Sequence, residues 1–316
     1  MSRILAAALP RAVQALLTAL GASVIIWAIL PLAPGDPADR VLRSQGVDHP
    51  LPAQIEAVRA EFGLDRPLVA QYADWLSRAA RGDFSRSFVS GKPVRDEIER
   101  RFPATLLLGM AALGLSLLFA VPSALAAAVF SGRWPDWVVR AATLIFAGLP
   151  SFLVGLIALQ VLVVDHGIGR ALSDGSPSQV WMPATCLALA ISPMWSRLLR
   201  AGLLEALGSS YALVATARGA SPRRVVLVHA LPNASVPFLH AVAIGVAGLL
   251  GGAPIIETVF TWPGIGSYVV SSINARDLPV IQAFAVIATL LYVACSLLTD
   301  IAAAVIDPRI RRERAL

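Results

Sequence analysis

Between Ala104 and Phe130 the chain reads ATLLLGMAALGLSLLFAVPSALAAAVF, 27 residues without an Asp, Glu, Lys or Arg. A bilayer core is crossed by about 20 apolar residues in a helix, because lipid offers the backbone no hydrogen-bonding partner. This stretch is therefore predicted to span a membrane. Five others match it: Ala12–Leu32, Ala141–Val164, Gly175–Ser196, Ala230–Ile256 and Leu278–Thr299 are also free of charged residues. The Gly175 stretch is expected to stay helical past Arg200. The fold class expected is all-α, a polytopic membrane protein with six transmembrane helices in which Pro122, Pro150 and Pro193 are the candidate helix breakers. The uncharged run at Ala12 is 21 residues long, beyond the 7–15 of a signal-peptide core, so it is predicted to be a retained span.

Composition agrees. Of 316 residues, 57% are hydrophobic and 15% charged, and the mean hydropathy is +0.71, whereas soluble domains carry about 25% charge. The single lysine, Lys92, is followed by Pro93, which excludes the Gly-Lys-Ser/Thr triplet of a phosphate-binding Walker A loop. ATP hydrolysis by a P-loop is thereby ruled out for this chain. Cys186 and Cys295 both lie in apolar stretches, and two such thiols make no disulfide framework.

The arginines set an orientation. With both termini in the cytoplasm, the inner segments hold 13 basic and 5 acidic residues, net +8, and the outer segments net −2. The high overall pI is then a signature of topology rather than of nucleic-acid binding. The expected organisation is residues 1–34 for the N-terminus and first span, 35–101 for an extracytoplasmic loop, 102–305 for the transmembrane core with an inner loop at 208–232, and 306–316 for a basic cytoplasmic tail.

The outer loop is the one segment with soluble character. Ile55, Val58 and Phe62 recur at helical spacing before Gly63, and Leu68, Tyr72, Trp75 and Leu76 follow Asp65-Arg66-Pro67, which has the form of an N-cap. Two short amphipathic helices are predicted, then a turn at Gly82–Ser87 and a polar lead-in at Val94–Arg101. They form either a cap over the span ends or a docking surface for an external partner.

The inner segment 208–232 carries more information. Tyr211–Arg218 is predicted to be a short helix, with Gly219 in the left-handed position after it, Ser221 as a cap and Pro222 in the first turn of a second helix that ends at Pro232. So much local structure, with exposed apolar side chains, suits a docking element. An interfacial helix on anionic lipid is the competing reading. In the fifth span Ala241, Gly245, Gly248 and Gly252 share one helical face, allowing close helix packing either within the chain or with a second membrane subunit.

The run Ala215-Thr216-Ala217-Arg218-Gly219-Ala220-Ser221 through Leu231-Pro232 resembles the cytoplasmic signature of ABC importer permeases, a Gly followed twelve residues on by Leu-Pro. Leu213 stands where many importers have an acidic residue. Further blocks are Pro34-Gly35-Asp36-Pro37, Phe62–Leu68, Gly82-Asp83-Phe84 with Ser87, Pro103-Ala104-Thr105-Leu106, Glu257–Gly266, Arg276–Gln282 and Asp307–Arg311. In this order and spacing they resemble the first permease subunit of the dipeptide/oligopeptide/nickel importer family, and Arg197–Ala201 with the Arg309–Arg312 tail lean slightly toward nickel permeases. The resemblance implies the type I permease architecture in a bacterial inner membrane. It also implies a heterodimer with a second, homologous permease, two cytosolic ABC ATPase subunits and an extracytoplasmic solute-binding protein. The chain would bind no cofactor, ATP and Mg being used by the ATPases, and would not be an enzyme. Tyr211, Ala215, Arg218, Gly219, Ala220, Ser221, Pro222, Leu231 and Pro232 would form the ATPase-coupling loop, and the cargo would be nickel, chelated, or short peptides.

Nickel raises the question of ligands. His240, Cys186, Cys295, Met110, Met182 and Met194 lie within spans, but no two form a close ligand pair such as His-x-x-x-His. No metal site is expected. His240, a polar group inside span five, is the candidate to touch passing substrate. An intramembrane enzyme lacks its motifs here, and a secondary transporter would need midplane acidic residues that the spans do not contain.

Overall fold

In a computed structural model, residues 2–32, 36–44, 46–61 and 63–306 are described; Pro34-Gly35, Phe62 and the tail from Asp307 onward lie outside them. Every regular element among the described residues is helical, apart from one isolated antiparallel bridge between Arg86 and Pro93. The helices are α1 (Ser2–Leu32), α2 (Pro37–Ser44), α3 (Pro52–Glu61), α4 (Leu68–Ala79), α5 (Val94–Val129), α6 (Trp134–Gly148), α7 (Ser151–Ala158), α8 (Trp181–Leu207), α9 (Ser210–Ala217), α10 (Pro222–Arg224), α11 (Leu231–Val259), α12 (Ile265–Asn274) and α13 (Leu278–Ile306). π-helical turns at Leu159–Asp165 and Val225–Ala230 extend α7 and join α10 to α11. Among the described residues 3 helices are long and apolar enough to cross a membrane, and up to 5 if each bent pair counts as one span. A shorter apolar helix at Leu16–Ile29 lies within α1.

Several expectations are corrected. The stretch Ala141–Val164 is two helices rather than one: the chain bends by 100° between α6 and α7, because Pro150 disfavours a helical conformation at Leu149, which is extended at φ −94°, ψ 124°. Pro193, by contrast, sits inside α8, and the chain is helical through Pro122 in α5. At Pro232 the predicted break does not occur. The π turn carries the backbone into α11 without a stop, and its altered hydrogen-bond register accommodates a residue that has no N–H. Finally, α4 is capped by Pro67 with no side-chain bond, not by Asp65, and α8 starts at Trp181, the residues from Gly175 forming a loop.

The chain forms two compact units. The first comprises residues 1–103 and 264–293. In it Tyr72 of α4 meets α1 directly, its hydroxyl 2.8 Å from Ser23 Oγ and its ring edge-on to Trp27 at 5.6 Å. Ala38, Val41, Leu42 and Val58 form a small core beneath α2 and α3, and Val94, Ile98, Ile265, Val280 and Ala283 form another. Asp277, 2% exposed, accepts bonds from Ser87 Oγ and the Phe88 N–H and so fastens the Gly82–Pro93 turn to the start of α13.

The second unit comprises residues 104–263 and 294–316. α8 is its centre, with Trp195, Leu199 and Leu203 buried against Ala120, Ala124 and Ala128 of α5 and Ala234, Phe238 and Ala241 of α11. The small-residue stripe is used within the chain: a Cβ on Gly245 would meet Trp195 Cζ2 at 2.6 Å, and one on Gly252 would meet Leu187 at 3.4 Å. Ser123 and Ser196 hydroxyls bond across α5 and α8 at 2.8 Å. At one end Thr105 Oγ1 donates to the buried Glu257 at 2.7 Å, and the Trp262 indole N–H donates to Ala104 O at 2.9 Å.

Two non-glycine residues close helices with positive φ, Thr261 at 50° after α11 and Arg276 at 58° after α12. Such conformations cost about 1–3 kcal/mol and persist only where the surroundings over-determine them. In both cases the next residue is an anchor, Trp262 or Asp277.

Candidate functional site

The inner segment folds as the turn chemistry predicts. α9 ends at Ala217, and Gly219, at φ +84°, donates to Thr216 O at 2.9 Å while Ala220 N donates to Ala215 O at 3.1 Å. That pair of bonds is a Schellman motif, which satisfies carbonyls the helix end would otherwise leave open. Two residues later Ser221 is extended and its Oγ accepts the Arg224 N–H at 3.4 Å, with Pro222 at the first helical position. The turn is rigid because both of its sides are capped.

Tyr211, Arg218, Gly219, Ser221 and Pro222 are exposed, and Ala215 and Ala220 are half-buried. They form one continuous helix–turn–helix. Leu231 and Pro232 stand a π turn further on, at the start of α11. Leu213, Val214, Leu227 and Val228 are also exposed, between 41% and 65%, beside Arg218, Arg223 and Arg224. Ala212, Val225, Val226 and Ala230 point inward, and the π turn packs on both α8 and α9. An apolar surface with cationic edges, mounted on a packed base, is suited to receive another protein.

This base is held by a pair that sequence reasoning missed. Asp136, in the first turn of α6, is 1% exposed, and it receives two bonds from Arg200 of α8. The two residues are 64 apart in sequence, and no local pattern announces their meeting.

His240 is exposed on α11, away from Phe238 and Ala241, which are buried. The soft-ligand candidates do not converge. Cys186 and Met182 are buried in the α8 core, Met110 and Met194 are exposed, and Cys295 is half-buried. Among the described residues no three His, Cys, Asp or Glu gather into a metal-holding group. A cavity of about 350 Å³ opens beside the start of α8, with Arg170, Asp174, Gln179, Trp181, Met182 and Phe260 among its walls. Hydrogen bonds from Ser176 hold the Asp174 carboxyl below its ordinary range.

Two family models together cover most of the chain. Residues 120–312 match "Binding-protein-dependent transport system inner membrane component", and residues 3–109 match the N-terminal part of such membrane components. The glutathione transport system permease protein GsiC of Escherichia coli (strain K12) is 35% identical over 289 residues, 92% of this chain and 93% of that one. GsiC of Shigella dysenteriae serotype 1 gives the same figures. Among solved structures, an amino acid ABC transporter with histidines aligns with TM-score 0.52 at 17% identity, over 68% of this chain and 94% of the other. The inward-facing MetNI methionine ABC transporter aligns with TM-score 0.53 at 18% identity, over 67% and 96%.

Proposed function

The chain belongs to the binding-protein-dependent transport system inner membrane components and is an ABC importer permease, and from that premise we propose that its cargo is a short peptide, glutathione or one like it. The observation that carries this is the 35% identity to a glutathione permease across nearly the full length of both chains. The slight lean to nickel, drawn from Arg197–Ala201 and the tail, gives way to it. The scattered thiol, thioether and imidazole groups lend nickel no support.

In this reading the chain lies in the bacterial inner membrane with six spans and both termini in the cytoplasm, the α6–α7 pair being one broken span. It forms a heterodimer with a second, homologous permease, and an extracytoplasmic binding protein delivers the peptide. The helix–turn–helix of α9 and α10 receives one of two cytosolic ATPases. ATP and Mg are used there, and this chain binds no cofactor. The capped turn at Gly219 supports that role, since a rigid element transmits rigid-body motion where a loose loop absorbs it. His240 faces either the translocation path or the second permease.

Uptake of labelled glutathione, a labelled dipeptide and radioactive nickel, the last with and without free histidine, tests the reading in cells with and without the gene. Loss of glutathione or dipeptide uptake is expected. Loss of nickel uptake alone would overturn the peptide assignment.

A further inference from the structure

Asp136 and Arg200 form the one ion pair between helices of the second unit among the described residues. Arg200 Nε donates to Asp136 Oδ1 and Nη2 to Oδ2, both at 2.8 Å, and the Gly132 N–H donates to Oδ2 at 3.0 Å. Both carboxylate oxygens are thereby occupied. The aspartate side chain is 2% exposed and the arginine 21%. A planar guanidinium meeting a carboxylate with two parallel bonds fixes orientation as well as distance, so α6 and α8 cannot slide or rotate past each other here without breaking both bonds.

The placement of the pair gives it a consequence. Arg200 lies two turns before the end of α8, and beyond that end the chain bends by 60° into α9. Asp136 lies at the base of α6, whose other end meets the 100° break at Leu149–Pro150. Within the membrane, backbone that leaves the helical pattern is tolerated only where protein buries it or water lines it, so a broken span is a place where a path can open and close.

We propose that Asp136 and Arg200 are positioning residues that pass the displacement of α9 through α8 to α6 and so to the Leu149–Pro150 break. This rests on the reading of α9 and α10 as the ATPase-docking element. The pair is a strut between the docking element and the broken span, and it touches neither ATP nor cargo.

The test uses the complete importer reconstituted in liposomes, with substrate-loaded binding protein outside and ATP inside. Asp136→Asn keeps the shape of the side chain and removes its charge, and Arg200→Lys keeps the charge and removes the fork. Both are expected to retain the ATPase subunits and to go on hydrolysing ATP, while cargo moved per ATP falls about tenfold or more. The exchanged pair Asp136→Arg with Arg200→Asp is expected to recover part of that ratio. Spin labels at Trp137→Cys and Leu213→Cys, in a background with Cys186 and Cys295 replaced by Ser, are expected to keep their separation through the nucleotide cycle, and Asp136→Asn to let it change with nucleotide. An unchanged ratio of cargo to ATP, or loss of the ATPases from every variant of the pair, would overturn the strut. Val214→Asp, at an exposed apolar position of α9, separates the two readings. If it leaves the ATPases bound and uptake intact, the docking assignment falls; if it releases them while Asp136→Asn is fully coupled, the strut alone falls.

Discussion

Substituting alanine for Gly245 tests the packing of α11 on α8. The added methyl carbon would lie 2.6 Å from Trp195 Cζ2, 2.8 Å from Trp195 Nε1 and 2.9 Å from Ile191 Cδ1. Carbon atoms in contact rest at about 3.5–4.0 Å, so about 1 Å must be found. The Ile191 methyl is the end of a flexible side chain and can swing away. The indole cannot, because it is fully buried among α5, α8 and α11. Relief therefore requires the helices to separate, and overpacking of this kind costs about 1–3 kcal/mol. The gain in helix propensity from Gly to Ala is about 1 kcal/mol in the opposite direction, leaving a net loss of up to about 2 kcal/mol. Trp195→Phe removes the two ring atoms that clash, together with an indole N–H that has no hydrogen-bond partner among the described residues. In that background Gly245→Ala should be neutral or stabilising, a coupling of about 1 kcal/mol or more. Thermal unfolding of the four proteins in detergent, followed by light scattering, measures the cycle. A Gly245→Ala protein that unfolds at the wild-type temperature, or a loss unchanged by Trp195→Phe, would refute the argument.

Two further outcomes are expected. Gly219→Val places a β-branched residue at φ +84°, strained whatever the surrounding space; it should reach the membrane in normal amount, measured by immunoblot, while uptake collapses, and retained uptake with normal ATPase binding would remove the loop from coupling. Thr261→Gly relieves a left-handed conformation costing about 1–2 kcal/mol against the entropy that glycine loses, about 0.5–1 kcal/mol; a small rise in unfolding temperature is expected, and a fall would mean that the threonine side chain holds the corner.

Long apolar helices are legible because the absence of charge is local information, and the helix–turn–helix because Gly219, Ser221 and Pro222 each have one strong conformational preference. The contacts that join distant segments were not. Ser87 and Asp277 each stood in a recognisable motif, as did Thr105 and Glu257, but nothing in either motif says that the hydroxyl of one meets the carboxylate of the other. Prolines show the same limit. Pro150 interrupts the chain while Pro193 and Pro232 do not, since a proline only removes a donor and a conformation, and the surrounding packing decides whether the helix yields. The face of the glycine stripe could be read from its spacing, whereas its partner, Trp195, could not.

The π turn at Val225–Ala230 bears on how much the segment can vary in length. Each residue advances an α-helix by about 100°, and a π turn takes up a surplus residue without disturbing the helix beyond it. A natural relative lacking one residue there would wind as an ordinary helix and still deliver Leu231 in phase, with Ala241, Gly245 and Gly252 toward α8. The same deletion a few positions later, between Ala241 and Gly245, would rotate the second half of the stripe by about 100° and present larger side chains to Trp195. For the packing of α11 on α8, a change of length is therefore harmless before Leu231 and disruptive after it, so the twelve-residue spacing from Gly219 to Leu231 answers to the docking loop rather than to the register of α11.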